Sequence, residues 1–191
     1  MLKKKVLVIV AHPDDETIWM GGFLNRNISN WNLTILSLCR EHDRDRAPKF
    51  LKVCSSLGAE CFISDLEDET LDDIDPSEVI NRIKKYCDKN YDYIFTHGSN
   101  GEYGHKRHKD VNNAVLEMVK KKDLSAEKIF LFSYEKKGKS CYPSKKAEIF
   151  INLKNKEVKI KKKMIENMYG FTKNSFESLS CRDIESFQVL Q

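Results

Sequence analysis

The sequence predicts a three-layer α/β domain, a mostly parallel sheet with helices on both faces. Three observations carry this reading. Short apolar or β-branched runs alternate with stretches of helical period along the chain, the pattern of consecutive β-α units. The first run, Val6-Leu7-Val8-Ile9-Val10-Ala11, is apolar throughout, as a strand buried on both faces must be. Polar clusters follow the first, second and fourth predicted strands, at the end where open α/β sheets bind ligands.

The first strand spans Lys4–Ala11 and stops at His12-Pro13, because proline has no N–H for a central ladder. Asp14, Asp15 and Glu16 follow, and their carboxylates suit the positive N-terminus of the helix that begins around Thr17. Gly21-Gly22 inside that helix costs stability, so a close neighbour is expected there. Asn32–Cys39 is the second strand, followed by the charged loop Arg40–Arg46. A helix over Ala47–Leu57 turns Phe50, Leu51, Val53, Cys54 and Leu57 inward and stops at Gly58. Glu60–Ser64 is a short third strand, and the acidic tract Asp65–Asp75 reads as an exposed loop.

Asp75-Pro76-Ser77-Glu78 opens the next helix, with Asp75 as N-cap and Glu78 as its capping-box partner. That helix runs to about Lys89. Tyr91–Thr96 is the fourth strand. It leads into a segment from His97 to His108 that holds three glycines and three histidines. A helix over Lys109–Lys121 and a strand over Ile129–Tyr134 come next. Lys136–Lys146 reads as a loop, Glu148–Leu153 as a sixth strand and Glu157–Met168 as a helix. The tail from Tyr169 is aromatic and polar and carries only a weak assignment.

Composition narrows the function classes. The chain has 191 residues, 40% hydrophobic and 32% charged, which fits one globular domain over residues 1–191 rather than a disordered chain. Net charge is +4, but Glu60–Glu78 holds nine acids and no base, whereas Lys120–Lys163 holds fifteen lysines and five acids. Those lysines are spread over several elements with few aromatics among them, so they read as solvated faces rather than a nucleic-acid surface. Six cysteines form no CxxC pair. They read as free thiols in a reducing compartment. No run is long enough to span a membrane, and the first apolar run ends without a cleavage site. A cytoplasmic protein is expected.

The chemistry lies in the clusters at the strand ends. His12-x-x-Asp15 plus a distant histidine supplies two imidazoles and a carboxylate, a donor set that suits catalytic zinc and also ferrous iron. Asp14 and Asp15 are adjacent, so their side chains diverge: one can bind a metal while the other faces its water. His105 and His108 share a helix face at their spacing of three. Taken singly, each has a plain alternative. His12 could be structural, the 105/108 pair a helix surface, Tyr103 a packing residue, His97 a loop-shaping hydrogen bond, and His42 an exposed side chain. Their convergence at one sheet edge raises the metal reading above these.

Ala11-His12-Pro13-Asp14-Asp15-Glu16, Arg46 twelve residues before Gly58, Thr96-His97 and Gly104-His105-Lys106-Arg107-His108 together resemble the LmbE-like, PIG-L family of de-N-acetylases. The resemblance covers nearly the whole chain. It implies a Rossmann-like three-layer fold and one Zn2+, with Fe2+ or another divalent ion as an alternative, held by His12, Asp15 and His108. Asp14 would be the general base and His105 a protonated partner that stabilises the oxyanion or protonates the leaving amine. Arg46 and Tyr103 would meet the substrate. The implied partner is a small-molecule amino-sugar conjugate of N-acetylglucosamine type, with no nucleic acid and no transmembrane segment. A homo-oligomer remains open. Two positions depart from the family pattern: Lys106-Arg107 stands where Pro-Asp is common, and Lys49 stands where an acid follows the arginine. The alternatives are a metal-dependent amidase for a non-sugar N-acyl substrate, or a basic protein that binds nucleic acid or lipid.

Overall fold

The computed structural model describes residues 2–190. Five strands run parallel: β1 (Lys4–Val10), β2 (Trp31–Cys39), β3 (Glu60–Leu66), β4 (Asn90–Thr96) and β5 (Ser125–Phe132). A hairpin of β6 (Tyr134–Lys137) and β7 (Ser140–Pro143) stands apart. β8 (Ile149–Asn152) and β9 (Ile184–Leu190) complete the main sheet, whose order is β3-β2-β1-β4-β5-β9-β8. The chain steps from β1 outward to β2 and β3, then returns to build β4 and β5 on the other side of β1. That reversal opens a crevice at the carboxyl ends of β1 and β4.

Strand β1 shows why the sheet carries a layer on each face. Val6, Val8 and Val10 enter one core with Trp19, Phe50 and Phe95, whereas Leu7, Ile9 and Ala11 enter the other with Ile83, Val111 and Val115. All six of these side chains, five from β1 and Ala11 just after it, are fully buried. The first core lies under α1 (Asp15–Asn27), α2 (Arg46–Ser56) and α6 (Asn155–Lys163). The second lies under α3 (Pro76–Tyr86) and α5 (Lys106–Lys120). No described helix is long and apolar enough to cross a membrane. All six cysteines are free thiols.

Several expected elements are corrected. Leu51 is 46% exposed, because the inward stripe of α2 runs through Phe50, Val53 and Cys54 and position 51 falls on its flank. Asp75 accepts Ser77 N–H at 2.8 Å, but Glu78 turns to Arg82 at 2.9 Å instead of closing the capping box. The helix that opens there ends at Tyr86, short of Lys89. Residues read as the loop Lys136–Lys146 contain much of the β6–β7 hairpin. The helix expected over Glu157–Met168 changes at Met164 into a π turn, Met164–Met168. The weakly assigned tail forms α7 (Phe176–Ser180) and then β9, which inserts antiparallel between β5 and β8. The acidic tract begins inside β3, and one of its side chains, Asp68, is buried.

Gly21-Gly22 has the close neighbour its cost implied. Helix α1 kinks at Met20 (φ −147°, ψ 16°). A Cβ on Gly22 would lie 2.4 Å from Leu153. The kink frees the N–H groups of Gly22 and Phe23, which donate to the Glu185 carboxylate of β9 at 2.9 and 2.8 Å. The fully buried Lys161 ammonium lies 2.8 Å from the same carboxylate. A buried charge is tolerated only when so paired.

Candidate metal centre

Side chains from the carboxyl ends of four strands meet at the crevice. His12 follows β1, Asp15 begins α1 and His108 lies in the first turn of α5. His12 Nδ1 is 3.2 Å from Asp15 Oδ2 and 3.2 Å from His108 Nε2, and the third side, His108 Nε2 to Asp15 Oδ2, is 3.4 Å. A zinc ion with bonds of about 2.0–2.1 Å in tetrahedral geometry separates its ligands by roughly 3.3–3.4 Å. The three donor atoms therefore fit one small divalent cation, with a fourth direction open to the cavity.

Each of these ligand atoms is oriented from behind. His12 Nε2 faces Asp68 Oδ1 at 2.9 Å, and His108 Nδ1 faces Glu102 Oε2 at 2.6 Å. The remaining Asp15 oxygen accepts the Trp19 indole N–H at 2.9 Å. Carboxylate partners on the far nitrogens leave the near nitrogens free as metal donors. Burial opposes charge on His12, but its hydrogen bonds to Asp15 and Asp68 outweigh it and raise the ring to about 10. The carboxylates thus favour positive charge at this point, from a proton or a metal ion. Burial would also raise Asp15, yet the imidazoles of His108 and His97 hold it well below the usual carboxylate range.

His97 belongs to the scaffold. Its ring stacks on His108 at 3.9 Å, Nδ1 lies 2.8 Å from Glu102 Oε2, and Ala11 N–H donates to Nε2 at 2.9 Å. Burial resists charge on this ring, while Glu102 and Asp15 favour it and lift it to about 9. An N–H aimed at Nε2 requires a lone pair there, so we assign the neutral ring with its proton on Nδ1. The bridging Glu102 has φ 55°, ψ −57°. Its Oε1 accepts Gly98 N–H at 2.8 Å, which helps hold that left-handed turn.

Asp14 adjoins the triangle in a left-handed conformation (φ 109°, ψ −27°). Its N–H donates to Glu16 Oε2 at 3.1 Å and its carbonyl accepts Thr17 and Ile18 N–H. Burial, then the Asp15 charge, pushes its carboxyl well above the ordinary value, with Arg46 opposing. Arg46 Nη1 lies 2.5 Å from Asp14 Oδ2, and its guanidinium lies over the Phe171 ring at 4.3 Å. His105 meets His12 edge to face at 4.7 Å, and its Nδ1 has no hydrogen-bond partner. Burial, then His12 and His108, lowers His105 to about 4. The surroundings therefore favour a neutral ring rather than the protonated one the resemblance implies. Tyr103 packs between His108 at 5.2 Å and Phe176 at 4.8 Å. His42 is exposed and lies 3.6 Å from Asp65.

His12, Asp14, Asp15 and His105 border a cavity of about 260 Å³, whose wall joins Trp19, Tyr103 and Phe176 to the polar Arg40, Arg46 and Asp68. The structure brings His12, Asp14, Asp15, Arg46, Tyr103, His105 and His108, all singled out in the sequence, into one place. Sequence reasoning missed Asp68, Glu102, Trp19 and Glu16. The sequence offers a signal for the tract around Asp68 but not for Asp68 itself: Lys106 and Arg107 stand beside the paired histidines, and they meet Asp73 and Glu67 of the acidic run.

The model of the PIG-L family, described as GlcNAc-PI de-N-acetylase, matches residues 7–119. The chain is 26% identical over 148 residues to uncharacterized protein L374 of Acanthamoeba polyphaga mimivirus, covering 70% of this chain and 63% of that protein. It therefore spans less than two thirds of that relative's length. The fold is similar to that of N,N'-diacetylchitobiose deacetylase from Pyrococcus horikoshii (TM-score 0.74, 16% identity, 98% of this chain and 84% of that one). It is also similar to GalB, the 4-carboxy-2-hydroxymuconate hydratase from Pseudomonas putida KT2440 (TM-score 0.65, 12% identity, 98% and 96%). At such identities the structures establish shared architecture only, and the pair spans two reactions on one fold. The family match covers more than half of the 191 residues, including both histidine motifs, and the chain belongs to the PIG-L family.

Proposed function

We propose that the chain is a zinc-dependent hydrolase that removes the N-acetyl group from an N-acetylated amino sugar of N-acetylglucosamine type, releasing acetate and a free amine. The observation that carries this is the triangle of His12 Nδ1, Asp15 Oδ2 and His108 Nε2, with Asp14 lining the same cavity as His12 and Asp15. Family membership and likeness to a sugar deacetylase support the substrate class.

His12, Asp15 and His108 would hold the cation, which supplies Lewis acidity: it lets water ionise near neutral pH and polarises an amide carbonyl. Asp14 acts as general base. Its raised carboxyl and its place at the cavity suit it to take a proton from the attacking water and return it to the departing nitrogen. Arg46 holds the Asp14 carboxylate in one orientation. His105, neutral and lining the cavity, donates a hydrogen bond to the developing oxyanion. Tyr103 lies beside it and contributes its phenol to the same pocket. The aromatic wall suits the apolar face of a pyranose, and the carboxylate and guanidinium groups suit its hydroxyls.

The test is metal analysis of the purified full chain together with acetate release from a panel of N-acetyl sugars and N-acyl amino acids, with and without chelator. About one zinc per chain and chelator-sensitive acetate release from a sugar support the proposal. Turnover confined to N-acyl amino acids would move the assignment to a non-sugar amidase. Failure to take up any divalent metal would overturn it.

A further inference from the structure

The segment between β3 and α3 is fastened down at both of its faces. The Asp68 side chain is only 5% exposed. Its Oδ1 lies 2.9 Å from His12 Nε2, and its Oδ2 accepts the Arg40 guanidinium through Nε at 2.9 Å and Nη2 at 2.6 Å. Arg40 follows β2 directly and sits in the left-handed region at φ 76°, a cost that local contacts must hold. From the other side, α5 reaches the same segment. The fully buried Arg107 bonds to the Glu67 carboxylate and carbonyl and to the Asp72 carbonyl. Lys106 Nζ reaches the Leu71 carbonyl at 2.7 Å and Asp73 at 2.6 Å. These two cations immediately precede His108 on the helix that carries it.

We propose that Asp68 is a positioning residue for the metal centre: it fixes the rotation and tautomer of His12, while Arg40 fixes Asp68 and Arg107 ties down its loop. This rests on the proposed cation site. A neutral imidazole whose Nε2–H donates to a carboxylate must present a lone pair at Nδ1, the atom that belongs to the ligand triangle. The carboxylate also adds negative charge behind the ligand, which strengthens its donation. Both Asp68 oxygens are committed to these contacts.

The test is zinc affinity of the full chain, read by competition with a chromophoric chelator, with the melting temperature of the metal-free protein measured alongside. Asp68→Asn should weaken zinc about 10- to 100-fold and leave the metal-free melting temperature near that of the wild type. Arg40→Gln should weaken it less, and it carries the test alone if Asp68→Asn does not fold. Asp73→Asn, which loses only an exposed tether, should bind zinc as the wild type does. Wild-type affinity in both Asp68→Asn and Arg40→Gln would overturn the assignment, as would an equal loss in Asp73→Asn. A wild type that binds no zinc overturns instead the metal reading beneath it.

Discussion

Asp14 occupies a backbone region that costs a non-glycine residue on the order of 1–3 kcal/mol, and it is held there by Glu16, Thr17 and Ile18. Although they are adjacent, Asp14 meets Arg46 while Asp15 meets His12 and His108. The consequence can be measured. Asp14→Asn should retain zinc at the wild-type level while acetate release falls about 10²- to 10⁴-fold, the usual contribution of a positioned base. Near-full activity would remove Asp14 from that role. The residues of this kind were legible in the sequence because each sits at a strand end or a helix start, where short spacing already fixes the neighbourhood. Asp68 and Glu102 were not. Asp68 meets a partner 56 positions away, within a run of acids whose composition reads as solvated surface. Glu102 is oriented by a left-handed turn that no side-chain pattern announces.

Among elements, α1 depends on a strand that is remote in sequence. Its kink leaves two N–H groups that only Glu185 satisfies, and Lys161 is buried against the same carboxylate. Glu185→Ala should destabilise the fold by about 3–5 kcal/mol, since it orphans a buried cation. Lys161→Met should cost less in the same denaturant titration, because the carboxylate keeps its two N–H donors. A second tie joins α1 to α6. Arg26 holds Glu157 through bonds of 2.8 and 2.6 Å, and with the Lys154 N–H this draws the carboxyl from 4.5 down to about 2. A depressed carboxyl stabilises the fold above its unfolded value and loses that contribution as the pH falls toward its folded value. The melting-temperature gap between wild type and Glu157→Gln should therefore be full at neutral pH and close roughly between pH 5 and pH 2. The β-α units that precede these elements were readable from period and caps. β9 was not, because Ile184–Leu190 mixes polar and apolar residues and takes its place from pairing on both sides.

Across the whole molecule, the candidate centre draws on the ends of β1, β2, β3 and β4, so binding of the proposed cation would be linked to folding. Zinc at about 100 times its dissociation constant should add roughly 2.7 kcal/mol to the native state. A thermal melt of the zinc-loaded chain should then fall by about 5–10 °C after chelation. An unchanged melt would mean that the site does not bind the ion in the native state. The parallel run of β1 to β5 follows from the β-α alternation, but the strand order and the position of β9 within the sheet needed the third dimension. That position sets a timetable for biosynthesis. β8 leaves the ribosome before β9 yet reaches the sheet only through it, so the growing chain must keep the β5 edge unpaired until the last described strand emerges. Glu185 arrives on that same strand, and so the Gly22 and Phe23 N–H groups at the bend in α1 wait for their acceptor until β9 has emerged.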